Sequence, residues 1–112
     1  MAGFTAVETG GTTTCALTTS GNVYCWGHDD AGQCGQGSTG TEGGNFDRLT
    51  PSQVRTSATA FLNNVVSISV GFSHSCAIDT LHRVWCWGSN TNGEIGDGTV
   101  TQRLYARRIT TL

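Results

Sequence analysis

Two spacings in this chain set reactive side chains in pairs: nine residues separate Cys15 from Cys25, and nine separate Cys76 from Cys86. The first pair lies in TTTCALTTSGNVYCWG, which reads as a hairpin with a three-residue loop centred on Ser20. That register sets Thr18 opposite Asn22, Ala16 opposite Tyr24 and Cys15 opposite Cys25. Centring the second hairpin on Leu81 sets Cys76 opposite Cys86. Directly opposed residues carry Cβ atoms about 4.5 to 5.5 Å apart, close to the span of a disulfide. Two disulfides, Cys15–Cys25 and Cys76–Cys86, are therefore expected. The plainer alternative is four small residues packed between sheets. Zinc is disfavoured, because its sites draw on short cysteine spacings with two pairs converging.

Cys34 is the fifth cysteine and is left over. Either it is a small buried residue standing where a later segment carries Ile95, or its thiol joins another chain or stays reactive. It opens a polar stretch containing STGTEGGNFD, which is expected to project and touch a partner. Cys34, Glu42, Asn45 and Asp47 are assigned to that contact.

Other chemistry finds little support. His28, His74 and His82 fall at unrelated positions, and no Ser-His-Asp, Cys-His or paired-carboxylate arrangement follows from the spacing. No catalytic residue is assigned, and the chain is not expected to be an enzyme. The loop NTNGEIGDG offers Asn90, Asn92, Glu94 and Asp97 as oxygen donors, like a calcium loop. It lacks the alternating acidic positions and the closing bidentate Glu of such loops. Turn chemistry accounts for it, since Asn, Asp and Gly supply positive φ and local capping. No metal and no cofactor are expected.

The elements that must hold these residues are strands. Period-2 segments run over Phe4–Thr9, Thr13–Thr18, Asn22–Trp26, Val65–Val70, Ser75–Asp79 and Arg83–Trp87. No long segment shows helical periodicity; TSATAFLNNVV is expected to make at most one turn. A shift of 61 residues superposes Val7 on Ile68, Cys15 on Cys76, Leu17 on Ile78 and Val23 on Val84. The same shift superposes Trp26 on Trp87 and Gly32, Gly35 and Gly37 on Gly93, Gly96 and Gly98. The register then slips by six, so that Arg48 matches Arg103 and Val54 matches Ile109. A period of this length with several short strands per unit points to propeller blades.

Composition narrows the partners. The net charge is -2 and all six positive charges are arginines, which leaves no electrostatic footprint for nucleic acid or an anionic membrane. The cluster of Arg103, Arg107 and Arg108 reads as a solvated strand edge. No run of about 18 apolar residues is present, so membrane insertion is not expected. The N-terminal MAGFTAVETGG has neither the basic start nor the apolar stretch of a signal peptide.

The run SVGFSHSCAIDTLHRVWCWGSNTNGEIGDGT, Ser69 to Thr99, resembles the repeat of the regulator of chromosome condensation family, in its cysteine-bearing bacterial variety. The resemblance covers nearly the whole chain as two units. It implies a propeller, in that family usually of about seven four-stranded blades. Departures are Gly11-Thr12-Thr13 in place of Phe72-Ser73-His74, Cys34 in place of Ile95, and His82 in place of Gly21.

The expected architecture is thus all-β: two four-stranded blades, one over about 4–64 and one over about 65–112, completing a propeller by self-assembly or as a fragment of a longer chain. Each blade has a face that needs a neighbour, so homo-oligomers through blade–blade contacts are expected. The expected function is a non-catalytic binding and assembly module that presents loops to a protein or glycan. Disulfide-spaced cysteines suggest a secreted or cell-surface setting. The alternatives are a subunit of a head-to-tail filament and an enzyme with its site at the propeller channel. The nucleotide-exchange activity associated with the family name fits poorly, because the nucleus is reducing.

Overall fold

The hairpins form where the period-2 pattern places them. The computed structural model describes residues 3–39 and 47–110. Strands β1 (Phe4–Gly10), β2 (Thr13–Thr18), β3 (Val23–His28) and β4 (Asp47–Gln53) make one antiparallel sheet in chain order. A small hairpin of β5 (Arg55–Ser57) and β6 (Ala60–Phe61) follows. A second antiparallel sheet joins β7 (Val65–Val70), β8 (His74–Asp79), β9 (Val84–Gly88) and β10 (Arg103–Arg108). Among the described residues there is no helix.

Registers match the expected ones. Cys15 pairs with Cys25 and Ala16 with Tyr24, while Cys76 pairs with Cys86 and Ala77 with Trp85. Thr18 N–H donates to the Asn22 carbonyl at 2.9 Å, and Asp79 N–H donates to that of Arg83 at 3.0 Å. Both cysteine pairs are bonded, Cys15 to Cys25 and Cys76 to Cys86. The slip of six residues between repeats is also present. Val54 N–H donates to the Val23 carbonyl at 2.8 Å, and Ile109 N–H donates to that of Val84 at the same distance.

Two local features go beyond the period-2 pattern. TSATAFLNNVV forms no helical turn but part of the β5–β6 hairpin, with the Arg55 guanidinium 4.5 Å from the centre of the Phe61 ring. Burial of Val54 and Leu62 holds it there, and Leu62 N–H donates to the Val54 carbonyl at 2.9 Å. The outer strands β4 and β10 escape the period-2 pattern because they are polar and lie at sheet edges. β4 even carries Pro51, which an edge tolerates because one side of the strand has no ladder to break.

The core lies between the sheets. Cys15, Leu17, Val23 and Cys25 on the first sheet join Ile68, Ala77 and Trp87 on the second in one buried cluster. Trp87 is wholly enclosed, and burial of so large a side chain is worth roughly 1.5 to 3 kcal/mol. A smaller cluster of Cys86, Ile95 and Ile109 sits on the far face of the second sheet.

Candidate interaction site

One carbonyl anchors the buried tryptophan at the seam between the sheets. The Gln33 backbone oxygen accepts the Trp87 indole N–H at 2.7 Å and the Ser75 hydroxyl at 3.2 Å. Gln33 is held by its own side chain, whose Oε1 accepts Ala31 N–H at 2.8 Å. The loop then comes close to the second sheet. A Cβ at Gly35 would lie 3.2 Å from the Trp87 ring, and one at Gly37 would run into the Tyr105 ring. Glycine at these two positions is what lets the loop close over the indole.

Beside the seam, buried charges organise the loops. Asp29 Oδ1 accepts Cys34 N–H at 2.8 Å, and Oδ2 accepts Arg48 Nε–H at 2.7 Å. In the second repeat Asn90 Oδ1 takes the same loop bond from Ile95 N–H at 3.0 Å, and Arg103 turns to Asp97 at 2.7 Å. Burial raises the Asp29 carboxyl above its usual value, and the Cys34 N–H and Arg48 offset only part of that. Asp97 is held well below the carboxylate range by the Thr99 hydroxyl and by Arg103, which together outweigh its desolvation. Arg107 also approaches Asp97, at 3.5 Å, so the arginine cluster of β10 is largely engaged within the chain.

Asp79 closes the second hairpin. Burial opposes its charge, but four donors prevail and hold the carboxyl well below the usual range. They are the Trp85 indole at 3.0 Å, the Arg83 Nε at 2.7 Å, and the N–H groups of Leu81 and Arg83 at 2.9 Å. Thr18 does the corresponding work in the first hairpin with a hydroxyl, accepting Asn22 N–H at 2.9 Å.

Of the residues assigned to partner contact, Cys34 and Asp47 are described. Cys34 is wholly buried, and this corrects its placement on a contact surface. It fills the position held by Ile95 in the other repeat, and burial, reinforced by the Asp29 charge, pushes its thiol far above the usual range. Asp47 opens β4 and bonds His28 Nδ1 at 3.0 Å. Glu42 and Asn45 lie outside the described residues. Among the described residues no group of three or more metal-ligating side chains converges. Of Asn90, Asn92, Glu94 and Asp97, the first and last bond to each other and to the chain, while Glu94 accepts Asn92 N–H.

The faces expected to need a neighbour stand open in the single chain. Each sheet has two faces, and the seam uses only the cysteine face of the first and the tryptophan face of the second. Three apolar residues on the unused faces stand exposed where their equivalents are buried. Ile78 is 41% exposed where Leu17 is 4%, Val7 59% where Ile68 is 8%, and Phe4 45% where Val65 is 4%. Cys76, Ile78 and Val84 line a shallow apolar depression. On the other open face, Phe4 and Tyr24 meet edge to face at 6.4 Å, with Trp26 on the same strand as Tyr24 and half buried. The repeat alignment carried this signal, since each exposed residue has a buried counterpart 61 positions away.

Comparison with known proteins agrees with this architecture. The model of the regulator of chromosome condensation (RCC1) repeat matches residues 20–78, and a second model of the same repeat matches residues 65–94. Ultraviolet-B receptor UVR8 of Arabidopsis thaliana is 35% identical over 99 residues, which are 88% of this chain and 20% of the receptor. RCC1 domain-containing protein RUG3, mitochondrial, from the same plant, is 35% identical over 83% of the chain and 20% of its own length. The chain thus spans about one fifth of these relatives. Among solved structures, Prp20p of Saccharomyces cerevisiae superposes with a TM-score of 0.77 at 17% identity, over 95% of this chain and 25% of that one.

Proposed function

The chain belongs to the regulator of chromosome condensation repeat family, and on that premise we propose that it is a non-catalytic binding and assembly module. In this reading the two sheets are propeller blades that associate with further copies through their unused faces. Loops at the rim then meet a protein or glycan partner, in a secreted or cell-surface setting. The carrying observation is the pair of open faces, whose exposed residues Ile78, Val7 and Phe4 are the counterparts of buried ones. Prp20p, whose binding properties to Gsp1p and histones have been described, supports protein recognition by such propellers. The two disulfides are compatible with an oxidising compartment.

A contact between the second sheet of one copy and the first of the next is heterologous. It closes a ring if the rotation permits and otherwise grows a filament. Light scattering and negative-stain imaging of the untagged, oxidised chain test the assembly. Particles larger than the monomer, rings or filaments, are expected. A compact monomer at micromolar concentration with a sharp unfolding transition overturns it.

A further inference from the structure

We infer that the copy-to-copy seam repeats the internal one in register, the Trp26 indole N–H of one copy donating to the Glu94 carbonyl oxygen of the next. This rests on the self-association reading and states which surfaces meet. The internal seam is the template. Moving its donors back by 61 residues turns Trp87 into Trp26 and Ser75 into Thr14, and moving its acceptor forward turns Gln33 into Glu94. Both donor functions survive: an indole and a hydroxyl.

The acceptor is shaped to match. Glu94 Oε1 accepts Asn92 N–H at 2.9 Å, as Gln33 Oε1 accepts Ala31 N–H at 2.8 Å. The next residue is tied alike in both repeats, Ile95 N–H to Asn90 Oδ1 at 3.0 Å and Cys34 N–H to Asp29 Oδ1 at 2.8 Å. Two loops braced at the same points present their carbonyls to the same side. The space is there too. A Cβ at Gly32 would run into Leu104 and one at Gly35 would lie 3.2 Å from Trp87 of the second sheet, whereas a Cβ at Gly93 or Gly96 would meet no heavy atom within 4 Å.

The apolar surfaces correspond as well. Internally, Val65, Ile68 and Trp87 meet Cys15, Leu17 and Val23. At the new seam the exposed Phe4 and Val7 and the half-buried Trp26 meet Cys76, Ile78 and Val84 of the open depression. Val65 N–H donates to the Gly21 carbonyl at 2.9 Å, so Phe4 N–H would reach the His82 carbonyl. The correspondence ends at the strand turns, where Gly11 has φ 53 and its counterpart Phe72 lacks a positive φ. A second copy is therefore the occupant the two faces specify, since each face carries what the other lacks.

The test combines affinity with exchange at the indole. Sedimentation of the oxidised chain measures self-association for wild type, Trp26→Phe and Thr14→Val, with Phe61→Ser as a control away from the seam. Trp26→Phe should weaken association about tenfold, because a buried carbonyl loses its donor; Thr14→Val should weaken it less, and Phe61→Ser not at all. In the assembled wild type, NMR should show the indole N–H groups of both Trp26 and Trp87 protected from exchange. This measurement decides the matter if Trp26→Phe fails to fold. A chain that associates while the Trp26 indole exchanges freely and the variants bind like wild type places the seam elsewhere, and overturns this inference while self-association stands. A chain that stays monomeric at every concentration overturns both, leaving the open faces to further repeats of a longer polypeptide.

Discussion

Arg48 and Arg103 occupy the same place in their repeats, and each sets its Nε 2.7 Å from a buried carboxylate. The carboxylates differ. The first repeat uses Asp29 at the loop-bracing position, with Gln36 further on; the second uses Asn90 and then Asp97. Each repeat thus places one buried negative charge beside its arginine, and a second would stand unpaired in the low-dielectric interior. Asn90 also donates from Nδ2 to Asp97 Oδ1, to the Thr99 oxygens and to the Thr101 carbonyl. Asn90→Asp removes those donations and sets two carboxylates together, so it should cost about 2 to 4 kcal/mol in chemical denaturation. Adding Asp97→Gln recreates the pattern of the first repeat and should recover at least half of the loss. A double variant no more stable than the single one would show that the exchange of positions is not compensatory.

The hairpins test the same logic at the level of the element. Their third loop residue needs a left-handed backbone, and Gly21 takes φ 87 while His82 takes φ 63. A side chain in that region costs roughly 1 to 2 kcal/mol. A Cβ at Gly21 would also stand 3.1 Å from the Asn64 Cα. Gly21→Ala should therefore destabilise by at least about 1 kcal/mol. His82→Gly should stabilise by up to about 1 kcal/mol, once the entropy of the freer residue is counted. Equal responses at the two turns would refute this account.

β3 and β4 are also tied by a titrating histidine, His28, bonded to Asp47. The hydrogen bond that His28 donates to Asp47 leads in raising the His28 pKa against a smaller desolvation, and Asp30 at 3.4 Å adds to it. A pKa higher in the folded chain means that folding favours the protonated ring. The contribution is complete below about pH 6.5 and fades as pH rises through the folded value. Stability should accordingly fall on passing from pH 6 to pH 8, and His28→Gln should flatten that slope. An unchanged slope in the variant would assign the pH dependence to another group.

For the whole molecule, stability and association are linked. If further copies cover Phe4, Val7 and Ile78, the folded chain gains a partner that the unfolded chain lacks, and its melting temperature must rise with protein concentration. Each disulfide closes a hairpin with a sequence separation of 10, and for so short a loop the stabilisation is about 2 to 3 kcal/mol. Reduction should lower the melting temperature at every concentration. A melting temperature independent of concentration from micromolar to millimolar would mean that the exposed faces contribute nothing to folding.

Much of this was legible residue by residue. The hairpin centres at Ser20 and Leu81, the opposed cysteines and the slip between Val54 and Ile109 are local matters. Strand pairing across a three-residue loop has one register that buries the apolar side chains. The burial of Cys34 was legible in part, through its match with Ile95. The edge strands and the β5–β6 hairpin were not, because polar residues enter strands when a neighbouring ladder offers hydrogen bonds, and no periodicity records that. Nor could spacing show that the backbone of Gln33 would anchor Trp87, since a carbonyl belongs to every residue and only the packing of two sheets selects one. The difference between the repeats is likewise tertiary. Leu17 and Ile78 are nearly the same side chain at the same place in a strand, and one is buried and the other exposed because only one has a sheet stacked on it.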